Sequence, residues 1–450
     1  MMKNMTPDHI ARACNGIYYG PENLKGRCVE GISIDSRKVE ENWLFVATRG
    51  ERVDGHSFVS QVMEKGALCV LVEQKPEVDC PYILVKDSFQ ALKDMATFYR
   101  SQLSCKVVGI TGSVGKTSTK EMIAGTLSAK YSVLKTAGNF NNEVGLPLTI
   151  FRIREEHEVA VLEMGISDFG EMRRLTAIAR PDICVITNIG ECHLENLGTR
   201  DGVLKAKTEI FEGLSPEGEI ILNGRDDKLI MIREVNGKKP YFFGSDHCYA
   251  DHVVSHGLFG TEGDIHIGEE TVHANIEVPG VHQMANAMAA VCVAKLLHLS
   301  VSEMEKGIAS VQAIGGRSHI IKGESFVIID DCYNANPVSM KASLDLLSEA
   351  EGRKVAILGD MFELGTDSDA LHEGVGRYAK TTGTDMLICI GQNARNIYKG
   401  AQGSDMKCFH YETKDSFLKQ KEALLKKGDT LLIKASHGMA FETLIKELAD

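Results

Sequence analysis

Short aliphatic and β-branched runs alternate with amphipathic stretches along most of the chain, and this alternation constrains the fold more than any other feature. VVGI at 107–110, VAVLEMG at 159–165, ICVITNIG at 183–190, FVIID at 326–330, VAILGDM at 355–361, MLICIG at 386–391 and TLLIKAS at 430–436 each have the length of one strand. Near-continuous apolar runs mark strands covered on both faces, as in a parallel sheet whose crossovers are helices. Between them, 338–350 and 414–427 carry apolar residues at three-to-four spacing, which predicts helices. The expected fold class is α/β.

A chain of 450 residues exceeds the size at which one core divides into several. Three blocks can be drawn. Residues 1–104 hold short strands (GISID, LFVAT, LCVLV, YILV) and end in a helical stretch through Tyr99. Residues 105–315 follow, with a Gly- and His-rich section at 244–280 that reads as antiparallel strands and turns. The GGR at 315–317 then punctuates the chain before a third βα series, 316–450.

Composition removes several functional classes. A formal charge of −12 argues against broad electrostatic binding to nucleic acid or an anionic membrane. Twelve cysteines without a CxxC pair read as reduced thiols, and no segment has the roughly 18 uninterrupted apolar residues of a membrane span. With no signal-peptide pattern at the start, the expected location is cytoplasmic.

The most specific chemical signal follows the strand VVGI. There TGSVGKTS supplies Thr111, Gly112, Ser113, Val114, Gly115, Lys116, Thr117 and Ser118, and a helix-forming run begins after it. A glycine loop between strand and helix aims backbone N–H groups and the helix N-terminus at phosphate oxygens. Lys116 is expected at the β- and γ-phosphates of ATP, with the Thr117 hydroxyl on Mg²⁺. Ile110 stands where the first glycine of the common motif would fall, so the loop is a variant type.

Glu163 ends its apolar run and His193 lies just beyond the next one. Both are candidates for a Mg²⁺ site if their strands are neighbours, because ligands bind at strand C-termini in open α/β sheets. On residue type alone, Lys205, Lys207 and Glu209 in VLKAKTEIF are solvated helix charges.

Taken together, TGSVGKTSTKE, GNFNNEVGLPL at 138–148, LEMG at 162–165, TNIGECHLE at 187–195 and AKTEIF at 206–211 resemble the Mur ligases. PGVHQMANAMAA at 279–290, GGR, DDCYNANPVSM at 330–340, LGDMFELG at 358–365 and KASHGMAFE at 434–442 extend the resemblance over all three blocks. These later motifs are similar to the branch that adds D-alanyl-D-alanine. The resemblance implies a small N-terminal α/β domain for the UDP end of the substrate, a central P-loop parallel-sheet ATPase domain and a C-terminal Rossmann-like domain.

It also implies residue roles. Thr117, Glu163, His193 and Lys207, the last as a carbamate, would hold two Mg²⁺ ions, and Lys116, Glu163, His193 and Lys207 would carry the catalysis. Asn286, Arg317, Asp331, Tyr333, Asn334 and Asn336 would join the loop residues around ATP. Ser36, Arg37, Asp54, Gly55, His56, Asn139, Asn141 and Asn142 are the implied substrate contacts. Gln283 and His437 depart from the family, which usually has Asn and Arg there, while Lys434 and Ser436 match it.

The implied reaction joins D-Ala-D-Ala to UDP-MurNAc-tripeptide through an acyl phosphate, in a monomer that binds neither nucleic acid nor membrane. A folylpolyglutamate-type ligase shares the loop and the acyl-phosphate logic but gives no reason for DSR or YNANP. A P-loop switch protein would use the loop to gate a conformation, and the Glu163, His193 and Lys207 set speaks against it.

Overall fold

The computed structural model describes residues 1–50, 53–403 and 405–449. Glu51 and Arg52, within the RGERVDGHSF segment, lie outside them.

Each apolar run named above becomes a strand, and the strands gather into sheets block by block. In the first, β1 (Ile17–Tyr19), β2 (Ile32–Ser33), β3 (Leu44–Val46), β4 (Cys69–Val72) and β5 (Tyr82–Leu84) pair in the order β1-β5-β4-β3-β2. Only β1 runs antiparallel there. The second sheet is parallel throughout. It contains β6 (Lys106–Thr111), β7 (Val133–Lys135), β8 (Val159–Glu163), β9 (Ile183–Ile186), β10 (Glu219–Asn223) and β11 (Tyr241–Phe243), ordered β11-β10-β9-β6-β8-β7.

The Gly- and His-rich section forms the expected antiparallel strands, β12 (Cys248–Ser255), β13 (Thr261–Ile267) and β14 (Glu270–Ile276). The last sheet has β15 (His319–Lys322), β16 (Val327–Asp330), β17 (Lys354–Gly359), β18 (Met386–Ile390), β19 (Lys407–Tyr411) and β20 (Thr430–Lys434). Its order is β15-β16-β20-β17-β18-β19, parallel except for the edge strand β15. The fold is thus α/β in three domains, a P-loop parallel sheet in the centre and a Rossmann-like sheet last.

Side-chain alternation in the central strands divides the core. Val107, Ala160 and Leu162 enter an apolar cluster shared with Leu92, Met95 and Tyr99 of the first block. Val108, Val159 and Val161 face the other way, onto the helices Lys116–Leu127 and Gln283–Leu296. Polar contacts fix the first junction. The Tyr99 hydroxyl donates to Ile153 O at 2.6 Å, and the buried Arg100 donates to Ala179 O and Arg180 O.

Two expectations change. The segment 414–427 forms two short helices, Lys414–Leu418 and Lys421–Leu424, because the backbone leaves helical dihedrals at Gln420 (φ −116°, ψ 3°). Both pieces feed one core through Phe417 and Leu424, and no residue type at the break announces it. Strands β8 and β9 are not neighbours either: β6 lies between them. The two candidate ligand segments therefore flank the phosphate loop. No helix among the described residues is long and apolar enough to cross a membrane.

Candidate active site

The loop after β6 is shaped by two glycines. Gly115 has φ +81°, and a Cβ at Gly112 would stand 1.9 Å from Thr187 Oγ1. The helix Lys116–Leu127 then starts without a side-chain cap, which leaves its first N–H groups open to an anion. A strap after β9 fastens the loop. Val114 N donates to Asn188 Oδ1 (2.9 Å), Val114 O accepts from Thr187 Oγ1 (2.6 Å), and Gly190 N donates to Ser113 Oγ (2.8 Å). Lys116 folds back to donate to Gly112 O at 2.9 Å.

Glu163, 2% exposed at the end of β8, faces the loop. Its Oε2 accepts from Thr117 Oγ1 (2.7 Å) and its Oε1 from Asn141 Nδ2 (2.9 Å). On the opposite flank His193 takes a left-handed backbone (φ 51°), and its Nδ1 lies 2.6 Å from Oε2 of Glu363, itself at φ 61° in the third domain. The solvated reading of Lys207 and Glu209 does not hold. Lys207 is fully buried and its Nζ has no hydrogen-bond partner. Burial pushes its ammonium from the ordinary 10.5 down to about 8, with Cys192 opposing the shift and Lys116 adding to it. Glu209 accepts the N–H groups of Gly170 and Arg173, while Lys205 is exposed.

From the third domain, Asp331 Oδ2 accepts from Lys434 Nζ at 2.6 Å and from the Ser343 hydroxyl, and its Oδ1 accepts from Ser318 N. The Arg317 guanidinium lies 4.0 Å from the centroid of Tyr333, which also contacts His437 at 5.6 Å between rings. An aromatic contact thus engages His437, the residue that departs from the arginine the resemblance leads one to expect. Gln283 likewise acquires a role, since its Oε1 accepts from Asn286 Nδ2 (2.7 Å) while Asn286 Oδ1 accepts from Thr119.

These groups share one cavity of about 710 Å³. Ser113–Ser118, Glu163, His193 and Asn286 line one side, and Arg317, Asp331, Tyr333, Asn334 and Asn336 the other. Asn139, Asn141 and Asn142 extend it. Not every lining residue has a free side chain. Asn336 caps the helix Pro337–Ser348, and Asn142 Oδ1 accepts the N–H groups of Val144 and Gly145.

Thr111, Gly112 and Lys207 lie behind the wall. Ser36, Arg37, Asp54, Gly55 and His56 belong to the first domain and do not line the cavity. There Arg37 pairs with Asp35 through two nitrogens, at 2.9 Å each. His56 is occupied on both nitrogens, Nδ1 at Asp54 and Nε2 accepting from Glu73 N. Sequence reasoning assigned no role to Thr187, Asn188, Ser343 or Glu363, although the first two open the TNIGECHLE motif at the C-terminal end of an apolar run and Glu363 lies in LGDMFELG.

The donor set fits a divalent cation beside phosphates. A buried carboxylate faces a hydroxyl at the loop, an imidazole stands across the cavity, and an unpartnered buried amine lies behind. Fold and site together define a P-loop ATP-dependent ligase type, with one cavity lined from two domains.

The comparisons agree. Residues 110–294 match the Mur ligase middle domain, 316–437 the Mur ligase, glutamate ligase domain, and 29–102 the Mur ligase family, catalytic domain. The chain is 38% identical to the UDP-N-acetylmuramoyl-tripeptide–D-alanyl-D-alanine ligase of Bacillus subtilis and 34% identical to that of Escherichia coli, each over 100% of this chain and 99% of the relative. MurF from Acinetobacter baumannii superposes with a TM-score of 0.90 at 30% identity, covering 100% of this chain and 99% of that one. MurF from Thermotoga maritima in complex with ADP gives 0.79 at 29% identity, covering 92% and 96%. This chain belongs to the Mur ligase family.

Proposed function

We propose that the chain joins D-alanyl-D-alanine to UDP-MurNAc-tripeptide at the expense of ATP, giving the UDP-MurNAc-pentapeptide for peptidoglycan synthesis. The observation that carries the reading is the single cavity in which the phosphate loop and Glu163 meet Arg317, Asp331 and Tyr333 of the third domain. Residues 1–104 hold the UDP end, 105–315 the ATP phosphates, and 316–450 close over the nucleotide. Folylpolyglutamate synthase of Mycobacterium tuberculosis, at 16% identity and a TM-score of 0.63, shares the fold alone.

In the first step a carboxylate oxygen of the tripeptide attacks the γ-phosphorus of ATP, the β–γ bridging bond breaks, and ADP leaves. Lys116 and the open N–H groups of its helix stabilise charge on the transferring phosphoryl group. Two Mg²⁺ ions held by Thr117, Glu163, His193 and carbamylated Lys207 would supply further positive charge there. Asn141 and Thr117 orient Glu163, and Glu363 steadies the His193 ring. In the second step the dipeptide amine attacks the acyl carbon, loses a proton and expels phosphate. Closure of the third domain over the cavity would exclude the water that otherwise hydrolyses the acyl phosphate.

Carbamylation of Lys207 needs a neutral amine, and lowering its pKa from 10.5 to about 8 makes that minor form far more abundant near neutral pH than in an exposed lysine. All twelve cysteines are free, in keeping with a cytoplasmic location, and one chain supplies both walls of the cavity, in keeping with a monomer. ADP release tests the proposal: it should require tripeptide nucleotide and dipeptide together. Equal release with neither present would indicate a switch protein, and release driven by glutamate with a folate would indicate the rival ligase.

A further inference from the structure

Outside the nucleotide cavity, the three-stranded sheet carries an unusual polar face. Its strand register sets Asp251 directly opposite Asp264, and Asp264 directly opposite His273. His266 lies two residues along from Asp264 and therefore on the same face. Ile265, Val272 and Ala274 point the other way, into the core. Two carboxylates facing each other across neighbouring strands repel one another.

His252 would ordinarily point away from Asp251, since adjacent strand residues alternate. The pairing shifts between Asp251 and Val254, and His252 adopts a left-handed backbone with φ 48°. That irregularity turns its imidazole onto the acidic face. His252 Nδ1 lies 3.2 Å from Asp251 Oδ1 and 3.2 Å from Asp264 Oδ2. A single N–H at that nitrogen has one proton for two carboxylates. These spacings match the edge of a tetrahedron around a cation with ligand bonds near 2.0–2.1 Å, roughly 3.3 Å.

The remaining imidazoles hold the carboxylates from outside. His266 Nε2 lies 2.9 Å from Asp251 Oδ1, and His273 Nδ1 lies 2.9 Å from Asp264 Oδ1. His266 is itself placed by the Thr271 hydroxyl at 3.1 Å and by stacking on Tyr249. Oriented ligands with such partners are the pattern of a metal centre.

We propose that Asp251, His252 and Asp264 form a surface site for a first-row divalent cation of the Zn²⁺ class, with His266 and His273 as positioning residues and solvent completing the coordination. A mixed imidazole and carboxylate set favours Zn²⁺ over Mg²⁺, so the cation that accompanies ATP does not compete. The bound cation cross-links β12 to β13 and removes the repulsion between the two aspartates.

Titration calorimetry with ZnCl₂ tests this on the full chain, with excess Mg²⁺ and ADP filling the nucleotide cavity. Wild type should bind one Zn²⁺ that His252→Ala and Asp264→Asn each weaken at least tenfold, while His256→Ala, at the end of the same strand, binds as wild type. Zinc-edge absorption should show only nitrogen and oxygen neighbours. Absence of a site in wild type, wild-type affinity in either of these two variants, or sulfur among the zinc neighbours would overturn the proposal. ADP release without zinc should be unchanged in both variants, which separates a folding defect from loss of the site.

Discussion

Replacing Lys207 by methionine should stabilise the protein while abolishing turnover. The side chain is fully buried and its ammonium has no hydrogen-bond partner, so methionine keeps most of the packing volume and removes the charge. The difference between the ordinary 10.5 and the folded value of about 8 corresponds to about 3 kcal/mol. At pH 7 the lysine is protonated in both folded and unfolded chains, so this penalty is present in full. It is relieved as the pH rises from about 8 towards 10.5, where only the unfolded chain still binds the proton. Urea unfolding in CO₂-free buffer at pH 7 should therefore show Lys207→Met more stable by up to about 3 kcal/mol, with the gain fading above pH 8. The same variant should release no ADP above background. A methionine variant that is less stable and fully active would refute both the buried-ammonium account and the role of the lysine at the cation site.

Lys207→Ala should be nearly inactive yet regain some activity in acetate, which can occupy the vacated anionic position, whereas Lys205→Ala should turn over as wild type with or without acetate. Steady-state kinetics should show Lys116→Ala losing kcat, and Asp331→Ala chiefly raising KM for ATP. Because Asp331 holds the buried Lys434, the alanine variant should also lose about 3 kcal/mol in urea unfolding, and a raised KM alone in both variants would contradict the role given to Lys116. Tyr99→Phe should cost about 0.5–1.5 kcal/mol in urea unfolding, with kcat unchanged, because Ile153 O keeps Arg154 Nη1 as a donor at 3.0 Å and neither residue lines the cavity.

In the two large sheets β6, β8, β9, β16, β17, β18 and β20 were legible because both faces are covered and the sequence reads as uninterrupted apolar runs, whereas β7, β10, β11, β15 and β19, most of them toward the sheet edges, carry no such run that was singled out. The phosphate loop was legible because its glycines answer local steric demands, at Gly112 against Thr187 and at Gly115 in its left-handed turn. Lys207 was not: amphipathic spacing cannot tell a solvated lysine from one buried against neighbouring helices. Glu363 was invisible for a related reason, since its contact with His193 crosses 170 residues of sequence and depends on how two domains meet. Gln283 and His437 departed from the expected residue types, yet each found a partner of a different kind, an amide for one and a tyrosine ring for the other.

Isotope transfer tests the central claim most directly. UDP-MurNAc-tripeptide labelled with ¹⁸O at both oxygens of its reacting carboxylate would be incubated with ATP, Mg²⁺ and D-Ala-D-Ala, and the products weighed by mass spectrometry. An acyl-phosphate route predicts one ¹⁸O in inorganic phosphate and one in the new amide of the pentapeptide, with ADP formed in equal amount. Unlabelled phosphate, or ADP formed without pentapeptide, would contradict it.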